Sequence, residues 1–416
     1  MSGRPSAPRG THDVLPPETR RREHLIDTAR AVFEMYAYEA IVTPTFEETE
    51  VFVRGVGTST DIVRKEMYSF TDQGGRELTL RPEGTASVAR AFVQHGMHKL
   101  QLPVKLWYLA PMFRQEAPQK GRFREHYQLG IEVLGSDSPL VDIEVIAVLA
   151  DLYERLRVPK LGLRISSMGD PDSRAAHREA LIPHLERNAG RLTEEARGRI
   201  TENPLRLFDS KDQSVQSVMA EAPPLGDYLS ADARAHYGAV LLGLDKLAIA
   251  YETDSTLVRG MDYYTKTVFE FTCGNLGAQS AIGGGGRYDG LVEQLGGPPT
   301  PGIGFGTGVE RLMLALEGVG ENRPSGLRCY VAILDDDLRV ELLPLIGGLR
   351  SAGISVETDL RGRGLKAMMK HAASRGAEQA VIIGRRDYDD GVATVRDMRS
   401  GDQQQVPLDQ LAEVLA

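Results

Sequence analysis

The chain has almost no cysteine. Cys273 and Cys329 are the only two in 416 residues, and they lack ligand-like spacing. A disulfide framework and a thiol metal site are both excluded, which fits a reducing cytoplasm. No apolar run approaches the roughly 20 residues needed to cross a bilayer. The first thirty residues carry many arginines and no apolar core segment, so no secretory signal is expected. Fixed-period repeats and low-complexity tracts are missing too. So is any excess of positive charge, since the net charge is -9. That argues against a protein coated in basic residues. It leaves room for a local basic groove, because charges are screened beyond about 8 Å at physiological salt. What remains is a membrane-free cytoplasmic protein, long enough for two or three domains.

Periodicity divides the chain. Leu25, Ile26, Ala29, Val32, Phe33 and Tyr36 recur at helical spacing between Glu18 and Tyr38. Pro44 interrupts the strand-like "AIVTPTFE", as at an edge or bulge. "EMYSFTD" and "RELTLRPE" read as strands around a turn at 72–75. A helix "ASVARAFVQHGM", the strands "VKLWYLAPMFRQE" and "HYQLGIEVLG", and the helix "LVDIEVIAVLADLYERL" follow. Residues 1–168 thus read as α+β with a central antiparallel sheet. Residues 169–251 read as a helical insertion, and strand character returns over 252–322 from "LVRGMDYYTKTVFEFTC" onward. "GENRPSG" has linker composition. Residues 327–416 then alternate strand and helix, as in a small separate α/β domain.

Several features point to chemistry. In "TLRPEGTAS", Arg81 and Glu83 flank a proline between a strand and a helix. The plain reading of such a tripeptide alone is a surface turn with a solvated ion pair. Arg114 in "MFRQE" and Arg259 in "RGMDYY" stand at strand edges, where a guanidinium can grip phosphate or carboxylate. A loop with Lys120, Arg122 and Arg124 follows the first of these. In "GIGFGTGVERL", four glycines precede a helix with Arg311 in its first turn, and helix starts favour anions. "IGGGGRYDG" lacks the GK[ST] ending of a P-loop. Arginines without a lysine-tipped phosphate loop suggest a nucleotide site outside the Walker and Rossmann types. His95 and His98 have no acidic or cysteine partners, so no metal-ligating residues are assigned.

These segments, with "RGTHDVLP", "LWYLAPMFRQEAPQKGRFRE", "NPLRLFDSKD" and "GGGGRYDGL", resemble the bacterial histidyl-tRNA synthetases, a class II aminoacyl-tRNA synthetase family. The resemblance implies ATP-dependent joining of L-histidine to tRNA(His) through a histidyl-adenylate. It implies Glu83 and Thr85 at the ammonium of histidine. Gln128 and Glu132 would share one strand face, with Tyr264 beside Glu132 at the imidazole and Tyr263 and Tyr288 completing the wall. Arg114 and Arg259 would flank the α-phosphate as the catalytic pair. Arg122 would also bind ATP, Arg311 would meet the γ-phosphate and Glu116 the adenine amino group, with Mg²⁺ on the phosphates. Many relatives carry phenylalanine where this chain has His126, so the adenine-stacking ring is His126 or Phe123. An imidazole there would vary in charge near neutral pH. Gln119 would read the acceptor end of the tRNA. Arg361, Arg363 and Lys366 would meet the anticodon, and residues 18–44 would form a homodimer contact. Two rival readings are a regulatory subunit of ATP phosphoribosyltransferase and a tRNA-binding scaffold. The first generally lacks the C-terminal domain and loses catalytic residues; the second leaves intact adenylation motifs unexplained.

Overall fold

The structure is a computed structural model and describes residues 4–58, 60–117, 119–210, 212–277, 280–318 and 326–416. The chain forms two compact units, 1–319 and 320–416. No helix among the described residues is long and apolar enough to cross a membrane.

The first unit opens with α1 (Glu18–Met35), which buries Leu25, Ile26, Ala29, Val32 and Phe33, the face its spacing predicts. β1 (Glu39–Ala40), β2 (Phe46–Glu48) and α2 (Thr49–Val56) follow, then β3 (Tyr68–Thr71) and β4 (Glu77–Leu80). β2, β4 and β3 make a small antiparallel sheet. Its hairpin turn is closed by Asp72, whose Oδ1 accepts from the amides of Gly74 and Arg76. Next come α3 (Thr85–Gln94), β5 (Val104–Phe113), β6 (Glu125–Leu134), α4 (Pro139–Arg155) and β7 (Leu161–Ser167). The insertion holds α5 (Pro171–Arg187), α6 (Glu194–Glu202), α7 (Gln213–Ala220) and α8 (Ala231–Lys246). β8 (Glu252–Thr253), β9 (Thr265–Cys273), β10 (Ala281–Arg287), α9 (Leu291–Gln294), β11 (Gly302–Gly308) and α10 (Val309–Ala315) complete the unit.

Eight strands form one sheet in the order β1-β5-β6-β11-β10-β9-β7-β8. Its centre is antiparallel, and only the edge pairs β1–β5 and β7–β8 run parallel. One face carries the core. Leu129, Ile131 and Val133 of β6 pack there with Val145 and Leu149 of α4 and Val32 of α1. The period of two therefore turns Gln128 and Glu132 to the opposite face, where the site lies.

One stretch departs from its sequence reading. "LVRGMDYYTKTVFEFTC" has strand-like composition, yet only its second half is β9; residues 254–264 are a loop. Arg259 consequently sits in that loop, before the strand. Its backbone is fixed by side chains remote in sequence, which local composition does not report.

The second unit contains β12 (Cys329–Ile333), α11 (Leu338–Glu341), α12 (Leu343–Ser351), β13 (Val356–Thr358), α13 (Leu365–Ser374) and β14 (Gln379–Ile383). α14 (Arg385–Asp389), β15 (Val392–Asp397), β16 (Gln403–Pro407) and α15 (Leu411–Leu415) follow. The sheet order is β13-β12-β14-β15-β16, parallel among the first three and antiparallel beyond. A single helix was expected over "LRVELLPLIGGLRSAG"; it is interrupted at Leu342, just before Pro344.

Candidate active site

Arg81 and Glu83 do not form a solvated pair. Both are buried, and they reach in different directions. The Arg81 guanidinium donates to the carbonyls of Pro111, Thr43 and Pro44, tying the approach to β2 against the end of β5. The Glu83 carboxylate turns onto α3. Its two oxygens accept the amides of Thr85 and Ala86 at 2.7 and 2.8 Å, satisfying two orphan donors of the helix start. Burial nonetheless holds its carboxyl above the usual carboxylate range.

Glu83 and Thr85 line an open cavity of about 330 Å³, with Gln128, Tyr263, Tyr264 and Tyr288. The rings of Tyr263 and Tyr264 lie 4.7 Å apart between centroids, and those of Tyr263 and Tyr288 lie 5.7 Å apart. Glu132 stands behind this wall, 1% exposed. It accepts from Thr85 Oγ1 at 2.7 Å and from the Tyr288 hydroxyl at 2.5 Å. Burial raises the Glu132 carboxyl to about 8, against the opposing pull of these hydroxyl donors.

Two residues here went unread in the sequence. The Tyr108 hydroxyl accepts from Gln128 Nε2 at 3.1 Å, and its ring fills space that only glycine leaves free at positions 84 and 130. A Cβ at either glycine would lie within 2.5 Å of the ring. Arg287 is fully buried and donates to Asp142 of α4 and to the Ser136 and Ser138 carbonyls, which anchors the turn presenting Tyr288.

Arg114, Arg122 and Arg259 line the same cavity. Arg114 Nε donates to the Pro82 carbonyl at 2.8 Å. Glu116 lies between two guanidiniums, 3.8 Å from Arg114 and 3.5 Å from Arg122. Arg259 pairs with Glu270 of β9 at 2.8 Å, while its buried Nε has no hydrogen-bond partner. Glu270 also pairs with Arg164 and lines the cavity. The sequence signal for it was a lone carboxylate between Phe269 and Phe271, turned away from the core face.

The floor is made of glycines. Gly304 and Gly306 of β11 stand opposite Glu132 and Gly130 in register, and the Gln128 side chain lies over Gly306. A Cβ there would come within 2.0 Å of Glu132 Oε2 and of Gln128 Nε2 respectively. At Gly284 of β10 it would lie 3.1 Å from an Arg259 nitrogen. The absent side chains are what let these polar groups lie flat across the sheet.

The remaining expected residues lie around this cavity. Arg311 donates to the Ala281 carbonyl and lines a neighbouring cavity with Gln119 and Lys120. His126 lies on β6 opposite Met112. Burial, helped by the charge of Arg114, lowers its imidazole to about 4, so it is neutral near pH 7 and the expected variation in charge does not occur. The Phe123 ring stacks on His12 at 4.2 Å and lines a separate cavity beside Arg21 and Arg22. In the second unit, Arg363 is paired with Asp359, whereas Arg361 and Lys366 are exposed. The described residues include no group of three or more His, Cys, Asp or Glu able to hold a metal.

Buried carboxylates and tyrosines beside a set of guanidiniums suit a small cation bound next to a polyphosphate. Residues 10–312 match the family described as histidyl-tRNA synthetase, and residues 328–416 match an anticodon-binding domain. The histidine–tRNA ligase of Rubrobacter xylanophilus is 47% identical over 96% of both chains. That of Moorella thermoacetica is 48% identical over 97% of this chain and 96% of its own. The crystal structure of apo histidyl-tRNA synthetase from S. aureus superposes with a TM-score of 0.84, at 34% identity and 99% coverage of each chain. The chain belongs to the histidyl-tRNA synthetase family.

Proposed function

We propose that this chain ligates L-histidine to tRNA(His), using ATP and releasing AMP and pyrophosphate. The observation that carries the reading is the cavity itself, lined by buried Glu83, by Tyr263, Tyr264 and Tyr288 and by Arg114, Arg122 and Arg259, with buried Glu132 held behind the wall by Thr85 and Tyr288. The ammonium of histidine belongs with Glu83 and Thr85. The imidazole belongs with Glu132, Gln128 and the tyrosine wall. A site built to hydrogen-bond a polar ring leaves its own buried groups unpaired with an apolar amino acid, which discriminates by up to ~10⁴–10⁵.

The histidine carboxylate attacks the α-phosphorus of ATP, the bond to the β-phosphate oxygen breaks, and pyrophosphate leaves. No side-chain nucleophile is required, so positioning and preorganised charge supply the rate. Arg114 and Arg259 flank the reacting phosphate. Arg122 and Glu116 hold the adenine side, with His126 as the ring beside it. Phe123 is less suited, since it already stacks on His12. Arg311 would reach the γ-phosphate from the adjoining cavity. Mg²⁺ would ride on the phosphate oxygens, as it does with one or two carboxylates, and Glu270 on the cavity wall fits that part. It would neutralise phosphate charge. In the second step the tRNA terminal ribose 3′-hydroxyl attacks the activated carbonyl and AMP departs, with Gln119 at the acceptor end. Arg361, Arg363 and Lys366 would meet the anticodon, whose loop bases can be splayed and hydrogen-bonded. Arg361 and Lys366 are the freer candidates because Arg363 is held by Asp359. The place of action would be the cytoplasm.

A homodimer is supported by exposed apolar side chains on the element expected to pair. Val42 is 94% exposed, and Met35 and Phe46 are exposed beside it in sequence. Sedimentation showing only monomer at micromolar concentration would remove this part.

Histidine-dependent exchange of pyrophosphate into ATP, assayed without tRNA, tests the central reading. It should proceed with L-histidine and stop without it. A regulatory subunit or a scaffold would give no exchange.

A further inference from the structure

The segment "NPLRLFDSKD" of the helical insertion takes no part in the chemistry above except through what it touches. It reaches the loop that carries Arg259. Arg206 donates to Asp262 Oδ1 through Nη2 at 2.9 Å and Nε at 3.3 Å, and through Nη2 to the Gly260 carbonyl at 2.8 Å. Asn203 Nδ2 donates to the same Asp262 oxygen at 3.0 Å. On its other side the Asp262 amide donates to the Val56 carbonyl, and its carboxylate lies against Gly57. Gly57 has φ +100, and a Cβ there would fall 2.5 Å from Asp262 Oδ2. Only glycine admits both that backbone and that approach.

The loop is thereby held at Gly260 and Asp262, each next to a residue of the site: Arg259 on one side and Tyr263 on the other. It has no strand ladder of its own between 254 and 264. Arg206 is only 13% exposed, so its forked contact is partly desolvated and directional, unlike a solvated surface pair. These contacts span 56 and 59 residues of sequence and exist only when the insertion is folded and seated.

We propose that Asn203 and Arg206 form a clasp on Asp262 that positions Arg259 and the tyrosine wall, so that the helical insertion governs the tRNA-independent adenylation step. The inference rests on the proposed role of Arg259 in that step. Asn203 and Arg206 are positioning residues, acting through Asp262 and Gly260 without touching substrate.

The test uses the full chain and histidine-dependent pyrophosphate exchange. Arg206→Ala should lower kcat by ~10–100-fold, the scale on which a small misplacement of a catalytic group acts, with the KM values for ATP and histidine little changed. Arg206→Lys should recover part of the rate, because an ammonium can reach Asp262 but cannot fork to the Gly260 carbonyl as well. Arg206→Ala combined with Asp262→Asn should be no slower than the worse single variant, as for members of one unit. Wild-type kcat in a folded Arg206→Ala overturns the proposal, as do additive losses in the double variant. Should Arg206→Ala not fold, Asn203→Ser and Arg206→Lys carry the comparison, and wild-type rates in both overturn it equally. Absence of exchange in the unaltered protein would instead bring down the proposed function, a separate result.

Discussion

Glu132 and Arg259 belong to the same active-site region and are compensated in opposite ways. Glu132 meets hydroxyl groups, from Thr85 and Tyr288. Arg259 meets a full counter-charge, Glu270. Hydroxyls orient the Glu132 carboxyl without supplying a counter-charge, and burial keeps it largely protonated at pH 7. Arg114, Arg122 and Arg259 face Glu116 and Glu270, and a positive surplus remains for an anion. The contrast separates groups proposed to read an amino acid from groups proposed to handle phosphate.

The sharpest way to break this contrast is at Arg259. Arg259→Ala should reduce the kcat of pyrophosphate exchange by an amount worth ~2.7–4 kcal/mol, the cost of losing one preorganised donor, while histidine binding stays measurable. Equal loss of both would merge the two sets of groups into one.

Glu132→Gln is expected to cost ~1.5–3 kcal/mol in histidine affinity, the range for hydrogen bonds to charged groups, with little effect on ATP. A proton count sharpens the point. The Glu132 carboxyl is raised to about 8 in the empty protein and so is largely protonated at pH 7. The histidine ammonium, held next to it at Glu83 and Thr85, favours its ionised form, so histidine binding should release up to about one proton at pH 7. Titration calorimetry in buffers of different ionisation heat reads this, and the variant should release less. The stability sign follows from the same shift. Between the ordinary carboxyl value of 4.5 and about 8, the folded state holds a proton that the unfolded chain has lost. The stabilising contribution is complete below that window and disappears as pH rises through it. Glu132→Gln should flatten this dependence in denaturant titrations.

Glu83→Gln should act on both levels. Weakening its grip on the α3 amides should cost ~0.5–2 kcal/mol of stability, as for other cap losses. Removing the counter-charge should weaken histidine more than ATP. Equal weakening of both ligands would make Glu83 purely structural. The smallest effect is expected at His126, where burial already keeps the ring neutral. His126→Phe should leave the shape of the pH profile for ATP between about pH 6 and 8 unchanged.

The elements with strong periodicity were legible in the sequence. α1 and α4 bury the residues that helical spacing selects, and β6 alternates as expected, which placed Gln128 and Glu132 on one face. Three features were not legible, each for a physical reason. The loop at 254–264 has strand-like composition, but Asp262, Asn203 and Arg206 decide its path from far apart in sequence. Tyr108 looks like any alternating strand residue until Gly84 and Gly130 are brought beneath its ring. β16 was passed over because "SGDQQQV" is polar, and the pairing with β15 that makes it a strand lies across the hairpin. Within the site, the identities of the charged residues were readable from motifs. Their partners were not, as the bonds of Glu132 to Thr85 and Tyr288 show.

The glycine floor has a consequence for inhibitors. A compound resting on Gly284, Gly304 and Gly306 would touch backbone there, and a protein escapes a drug most simply by altering a contacting side chain. Here the floor offers none to alter. Every substitution at these positions adds atoms, and at 304 and 306 the first added carbon meets Glu132 and Gln128, groups proposed to hold histidine. Resistance arising on the floor would therefore carry its own handicap, and selection would be pushed outward to the half-exposed rim around Arg122.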